Sequence, residues 1–341
     1  MSKHDSPAER ETLRLSTSPQ DITRAAEILR NGGTVAFPTE TVYGLGANAL
    51  DPNAVANIFL AKNRPHWDPL IVHVSNRAML DEVATVSDRA ERLIKAFWPG
   101  PLTLLLQRTE KIPDAVTANR PLVGVRMPAH PLAQALLEAT GLPLAAPSAN
   151  RFGHTSPTTA AHVLQDLDHR IDAVIDGGAT SVGVESTVLD PNPSPMVLYR
   201  PGAITPAMLE SIAGPVTIYT APQQTTSTPQ SLPSPGVGIR HYAPRARLIL
   251  VDNEADLNSH LAATEGRIGV MLPQGWTIPT SHVEVFRWSS IEDPTALAQT
   301  LFAGLRDLDD RGVTTILCPL PKPEGLGLAI RDRLKKAAKT N

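Results

Sequence analysis

Apolar residues recur along this chain in two rhythms. Unbroken runs at Thr34–Phe37, Leu70–Val74, Leu102–Gln107 and Val123–Met127 read as buried strands. Between them, apolar positions return every three or four residues, as a half-buried helix requires. Asp51 caps one such helix and Pro52 opens it, with Val55, Ile58 and Phe59 on one face. Pro131–Thr140 is a second, stopped by Gly141. Ser156–Pro157 is expected to open a third, running through Val163 and Leu164. Thr205–Pro206 starts a fourth that ends at Gly214. Ala173–Ile175, Thr187–Asp190 and Val197–Arg200 read as strands without helical crossovers, so the strand order is expected to be mixed.

The pattern breaks at residues 216–246. Pro222, Pro229, Pro233, Pro235 and Pro244 punctuate a stretch rich in threonine and glutamine, and neither period survives. It reads as an extended linker. A second, smaller α/β pattern follows. Its strands are expected at Leu248–Val251, Ile268–Leu272, Val283–Phe286 and Val313–Cys318. Asp293–Pro294 opens a helix with Leu297, Leu301, Leu305 and Leu308 on one stripe, and Glu324–Lys339 is the last helix. The expected domains are therefore 15–215, a linker at 216–246, and 247–341.

Composition narrows the function. Lysine plus arginine is 31 and aspartate plus glutamate 34, a net charge of −3, which disfavours a protein that holds nucleic acid by bulk positive charge. The single cysteine, Cys318, excludes an internal disulfide framework and zinc fingers built from several cysteines. Residues 2–14 lack the apolar core of a signal peptide, and no apolar run is long enough to span a membrane. The expectation is a soluble cytoplasmic protein.

No phosphate loop of the G-x-x-x-x-G-K-[ST] kind and no G-x-G-x-x-G turn is present. Gly44-Leu45-Gly46 reads most simply as a turn after a strand. Polar clusters nevertheless gather at strand ends, where open α/β sheets place ligands. They are Pro38–Gly46, Lys62-Asn63-Arg64-Pro65, Ala146–Asn150 and Gly183–Thr187, with His73 and Arg126 inside apolar strands. Brought to one rim they would join fixed cations to hydroxyls and amides, which suits an anionic ligand such as a nucleoside triphosphate. Ser234-Pro235-Gly236 and Arg240-His241-Tyr242 carry more chemistry than a spacer needs and read as a segment able to fold over a site.

These motifs resemble the YrdC-type family, with Lys62-x-Arg64 and Ser148-x-Asn150 as its signature. The linker motif and Glu324-Gly325-Leu326-Gly327-Leu328-Ala329 resemble the long, two-domain threonylcarbamoyl-AMP synthases. The resemblance implies an open, twisted mixed-sheet α/β domain followed by a small Rossmann-like α/β domain. It implies synthesis of threonylcarbamoyl-AMP from L-threonine, bicarbonate and ATP with release of pyrophosphate. The product would pass to a tRNA threonylcarbamoyl transferase complex that modifies tRNAs reading ANN codons. Catalysis would rest on Lys62, Arg64, Ser148 and Asn150. ATP would be lined by Arg64, Asp68, Leu122, Ala146, Ser148, Ser156, Arg200 and Tyr242. Threonine would be held by Thr41, His73, Arg126 and Ser186. Mg²⁺ would arrive with ATP, with no dedicated protein ligands.

The chain departs from the family pattern at Asp68, where Asn is frequent, at Leu122, where a hydroxyl is usual, and at Val237-Gly238-Ile239 in the linker. Two other readings stay open on the residues alone. One is an RNA-binding module using the same concave face, and direct tRNA contact is undecided. The other is a carbamoyltransferase of the hydrogenase-maturation kind, which the single cysteine disfavours.

Overall fold

A computed structural model of the chain describes residues 11–220, 231–234, 242–279 and 282–339. The linker residues Pro222, Pro229, Pro235, Gly236, Val237, Gly238, Ile239, Arg240 and His241 lie outside the described residues.

The first part of the chain builds one mixed sheet. Its strands lie in the spatial order Leu13–Leu15, Ala173–Ile175, Val35–Pro38, Tyr43–Asn48, Leu144–Ala145, Ile71–His73, Leu122–Arg126, Leu102–Arg108, Thr187–Asp190, Met196–Arg200 and Val216–Ile218. The two-residue strand Ala84–Thr85 pairs beside Leu102–Arg108. Helices form where the sequence supplies caps. Ser18, Asp51, Asn76, Ser87, Thr159 and Thr205 each accept a hydrogen bond from a backbone N–H of the first helical turn; such a cap is worth about 1 kcal/mol. Pro131–Thr140 ends at Gly141 with φ +68°, where glycine carries no steric penalty. The core lies between sheet and helices, with Phe37, Tyr43, Leu45, Leu29, Leu136 and Val163 fully buried.

Three expectations change. Gly44-Leu45-Gly46 is not a turn but part of the strand Tyr43–Asn48, antiparallel to Val35–Pro38 with Phe37 opposite Gly44. A Cβ at Gly46 would lie 2.8 Å from the Phe37 ring, so the glycine makes room for the aromatic side chain. The third helix begins at Ala160, not at Ser156–Pro157, because Thr159 supplies the cap and Pro157 gives its carbonyl to the Tyr43 N–H. Residues 216–218, read as linker, extend the sheet edge by pairing parallel to Met196–Leu198.

The second unit is a four-stranded parallel sheet in the order Arg247–Val251, Thr315–Pro319, Ile268–Leu272 and Glu284–Arg287. Glu254–Ala263, which the sequence pattern leaves unmarked, joins the helices Pro294–Asp310 and Leu326–Ala337. The two units share a hydrophobic cluster in which Val42, Val184 and Tyr242 pack with Leu297, Leu301 and Phe302. Gly183, at φ +82°, brings its backbone so close to the Pro294–Asp310 helix that a Cβ would lie 2.2 Å from the Ala298 carbonyl. No helix among the described residues is long and apolar enough to cross a membrane.

Candidate functional site

The strand ends named from the sequence converge on one cleft. Thr41, Arg64, His73, Arg126, Ala146, Ser148, Ser186, Arg200 and Tyr242 line it, together with Glu185. Lys62, Asp68, Asn150 and Ser156 stand behind that lining. Leu122 does not reach it; it begins the strand that Arg126 ends, about 13 Å away along the backbone.

Thr39–Val42 is the tight connection between the antiparallel strands Val35–Pro38 and Tyr43–Asn48. The Thr39 hydroxyl donates to the Val42 carbonyl at 2.7 Å. Its single proton is thereby used, so Thr41 Oγ1 donates to Thr39 Oγ1 across 2.8 Å. That leaves Thr41 Oγ1 to accept from Arg126 Nη1 at 2.8 Å. Arg126 also donates from Nε to the Gly100 carbonyl at 3.1 Å and pairs through Nη2 with Glu40 Oε1 at 2.7 Å. Burial alone would raise the Glu40 carboxyl, but the charge and hydrogen bond of Arg126 outweigh it and hold Glu40 below the usual range. His73 lies in register beside Arg126 on the parallel neighbour strand. Burial first, and the Arg126 charge second, press its imidazole down to about 3. The ring is therefore neutral at physiological pH, and its Nδ1 makes no hydrogen bond among the described residues.

On the other side, Asn63 leaves the helix Pro52–Lys62 in the left-handed conformation, φ 52°. The turn sends Lys62 and Arg64 to different tasks. Arg64 faces the cleft. Its Nε donates to the Asp68 carbonyl at 3.1 Å, and Nη2 donates to the Pro69 carbonyl at 2.8 Å while lying 2.9 Å from Asp68 Oδ2. The Asp68 carboxylate, a departure from the family pattern, is thus an anchor for Arg64. Burial pushes its pKa up even against the neighbouring Arg64 charge.

Lys62 is almost wholly buried, and its ammonium donates to the backbone carbonyls of Ser148, at 2.6 Å, and Asn150. Its own carbonyl accepts from the Phe152 N–H at 2.9 Å. Lys62 therefore clamps the 148–152 turn rather than lining the cleft, and burial lowers its pKa well below the ordinary value. Asn150 holds the same turn by donating from Nδ2 to the Arg151 and His154 carbonyls. The turn follows the strand Leu144–Ala145, and Ser148 lies opposite Gly44.

Arg200 closes the far wall. Its Nε donates to the Ser186 carbonyl at 2.9 Å and its Nη2 to Ser186 Oγ at 3.0 Å. Ser156 Oγ donates to Glu185 Oε1 and so supports the wall from behind. Burial opposes the Glu185 charge, but Arg333 and Arg200 keep its carboxyl below the usual range. Tyr242, with φ +65°, reaches the cleft from the end of the linker, stacks on Phe302, and has its hydroxyl pKa raised to about 12 by burial. Three guanidiniums, Arg64, Arg126 and Arg200, thus face a space whose lining holds the single carboxylate Glu185. Such a cleft favours anionic ligands. Among the described residues, no three His, Cys, Asp or Glu side chains gather so as to hold a metal ion.

The sequence pattern did not single out Arg333. Its signal was nonetheless present: Leu326, Ile330, Arg333 and Ala337 fall at helical spacing, which places an arginine in the buried stripe of the last helix.

Known proteins resemble this chain along almost its whole length. Residues 27–202 match the Sua5/YciO/YrdC domain model described as telomere recombination, and residues 204–339 match the threonylcarbamoyl-AMP synthase C-terminal domain. A threonylcarbamoyl-AMP synthase of Pyrococcus abyssi is 42% identical over 323 residues, covering 92% of this chain and 93% of that one. One of Bacillus subtilis is 41% identical over 333 residues, 96% of this chain and 95% of that one. The crystal structure of P. abyssi Sua5 complexed with L-threonine superposes with a TM-score of 0.88 at 41% identity, covering 96% of this chain and 97% of the other. With relatives of this identity aligned across both of its domains, the chain belongs to the Sua5/YciO/YrdC family, in the two-domain form that carries the threonylcarbamoyl-AMP synthase C-terminal domain.

Proposed function

We propose that the protein makes L-threonylcarbamoyl-AMP from L-threonine, bicarbonate and ATP and releases pyrophosphate. The observation that carries this reading is the convergence of Arg64, Arg126 and Arg200 with the neutral His73 on one cleft. Threonine's amine adds to the bicarbonate carbon and water leaves, giving a carbamate. A carbamate oxygen then attacks the α-phosphorus, and the bond from that phosphorus to the bridging oxygen breaks to free pyrophosphate. No protein nucleophile is required, so the work is positioning and charge stabilisation.

Arg126, fixed along part of its fork by Gly100, Thr41 and Glu40, has N–H groups left for the threonine carboxylate. His73 Nδ1 and Ser186 are placed for threonine's other polar groups. Arg64 and Arg200 face the triphosphate side, with Ala146, Ser148 and Tyr242 along it. Lys62, Asn150, Asp68 and Ser156 act on that side by holding the groups that line it. Mg²⁺ bound to the triphosphate would offset its charge, taking its ligands mostly from phosphate and water. Transfer of the product to a tRNA threonylcarbamoyl transferase complex, and a cytoplasmic location, belong to the same reading.

The test is pyrophosphate release from the full-length protein with ATP, Mg²⁺ and bicarbonate, with and without threonine. Release that depends on threonine is expected. Release that is equal without threonine, or none with all substrates present, overturns the assignment.

A further inference from the structure

Among the side chains by which the second domain meets the wall of the cleft is a buried arginine. Arg333, on the last helix, is 1% exposed. Its Nε donates to Glu185 Oε2 at 2.7 Å and its Nη2 to the Glu185 carbonyl at 3.2 Å. Its guanidinium carbon lies 5.3 Å from the centre of the Tyr242 ring, within cation–π range. Its Nη1 donates to Asp332 at 2.7 Å. Glu185 and Tyr242 both line the cleft. Glu185 is followed by Ser186, the residue that Arg200 grips through carbonyl and hydroxyl.

We propose that Arg333 is a positioning residue for the reaction in the cleft, fixing Glu185 and Tyr242 so that the C-terminal domain completes the ATP side of the site. This rests on the activity proposed above. The alternative is that Arg333 only fastens two domains together. Other contacts already do that. Val42 and Val184 pack against Leu297 and Leu301, and Arg306 pairs with Asp166 at 2.7 Å. Gln299 donates to the Ser181 carbonyl at 2.8 Å. A fastening arginine has no need to sit against two cleft-lining groups at once.

The geometry also sets the outcome of removing it. Without Arg333, Glu185 keeps Ser156 but becomes a buried carboxylate beside Arg200 with its ion-pair partner gone. It would turn toward Arg200 and take the charge that faces the ligand. Removing the Glu185 charge as well should undo much of that effect.

The experiment uses full-length protein with Arg333→Met, Arg333→Lys, Glu185→Gln and the Arg333→Met/Glu185→Gln double variant. It reads the KM values for ATP and threonine from pyrophosphate release, and the Kd for ATP by calorimetry. Arg333→Met is expected to raise the ATP KM and Kd by about tenfold or more, and the threonine KM by less than about threefold. Arg333→Lys should fall between Arg333→Met and wild type. The double variant should bind ATP more tightly than Arg333→Met alone. An unchanged ATP Kd in a folded Arg333→Met protein overturns the proposal. So does an equal rise in both KM values, or a double variant in which the losses simply add. If wild type releases no threonine-dependent pyrophosphate, the proposed reaction fails, while the ATP Kd series still decides the role of Arg333.

Discussion

Replacing Arg126 with lysine tests the proposed threonine half of the cleft. The arginine makes three protein contacts, to the Gly100 carbonyl at 3.1 Å, Thr41 Oγ1 at 2.8 Å and Glu40 Oε1 at 2.7 Å. A guanidinium has five N–H groups in a rigid fork, so N–H groups remain for a substrate carboxylate. A lysine ammonium has three donors and no fork. With Glu40 beside it and the Thr41 oxygen in reach, it can offer a carboxylate one bond at most. A hydrogen bond to a charged group is worth about 1.5–3 kcal/mol. Losing one from bound threonine should therefore raise the threonine KM by about 10- to 150-fold, at about 1.4 kcal/mol per factor of ten. The ATP KM should change by less than about threefold, because Arg64 and Arg200 are held by other elements and share no partner with Arg126. The assay is initial-rate pyrophosphate release with threonine varied at saturating ATP and bicarbonate, then the reverse. Lysine keeps the positive charge beside Glu40, so the fold should survive and a melting curve will verify it. An unchanged threonine KM, or equal changes in both KM values, would refute the reasoning.

Three further variants test how the cleft is held. Lys62→Met leaves the carbonyls of Ser148 and Asn150 without their donor. Each buried acceptor left unsatisfied costs about 1–3 kcal/mol, so the melting temperature should fall by about 5 °C or more. Turnover should fall about a hundredfold because the Ser148 turn shifts; turnover near wild type would show that the clamp is dispensable. Asp68→Ala should destabilise by about 3–5 kcal/mol by stranding buried Arg64. Asp68→Asn keeps an acceptor and should cost much less, so equal losses in urea titrations would count against Asp68 as an anchor. His73 sets a pH dependence. Its folded pKa is about 3, against about 6.5 in an unfolded chain. Below pH 6.5 the unfolded chain takes up a proton that the folded one refuses. Its contribution is thus fully present above pH 6.5 and declines as pH falls toward 3, by up to about 1.4 kcal/mol per pH unit. His162, held down to about 4 by burial and then Arg306, adds a second slope of the same sign. His73→Asn should flatten the pH dependence of the urea midpoint, and parallel curves for the two proteins would remove His73 from the account.

The elements most legible in the sequence were those with local signals. Asp51-Pro52 and Pro131 mark helix starts at the residues where the helices begin, and Gly141 marks an end. Tyr43–Asn48 is hidden in the sequence because two glycines in three residues read as a turn, and the Phe37 ring across the sheet explains Gly46. The helix Glu254–Ala263 was missed because its apolar stripe is thin, with only Leu257 and Leu261 buried. In the site, residue types were readable and their directions were not. Lys62 and Arg64 sit two positions apart, and it is the left-handed Asn63 between them that sends one into a turn and the other into the cleft. Arg333 could not be tied to Glu185 at all, since the two are 148 residues apart in sequence.

The near-neutral charge of the chain is consistent with how its cleft is built. Each arginine that faces the ligand is held from behind. Asp68 holds Arg64, Glu40 holds Arg126, and Ser186 holds Arg200 beside the Glu185–Arg333 pair. A free guanidinium would lose rotamer entropy when it gripped a phosphate or carboxylate. One already fixed on one edge loses little, and its other edge stays available at a set angle. The fixing carboxylates cancel much of the field at long range, so the protein does not attract polyanions indiscriminately. At contact distance a ligand meets the open N–H edges first and the Asp68 and Glu40 carboxylates only through them. Charge balance and anion binding are therefore compatible here because they operate at different distances. The same logic makes each supporting carboxylate as consequential for substrate affinity as the arginine it holds.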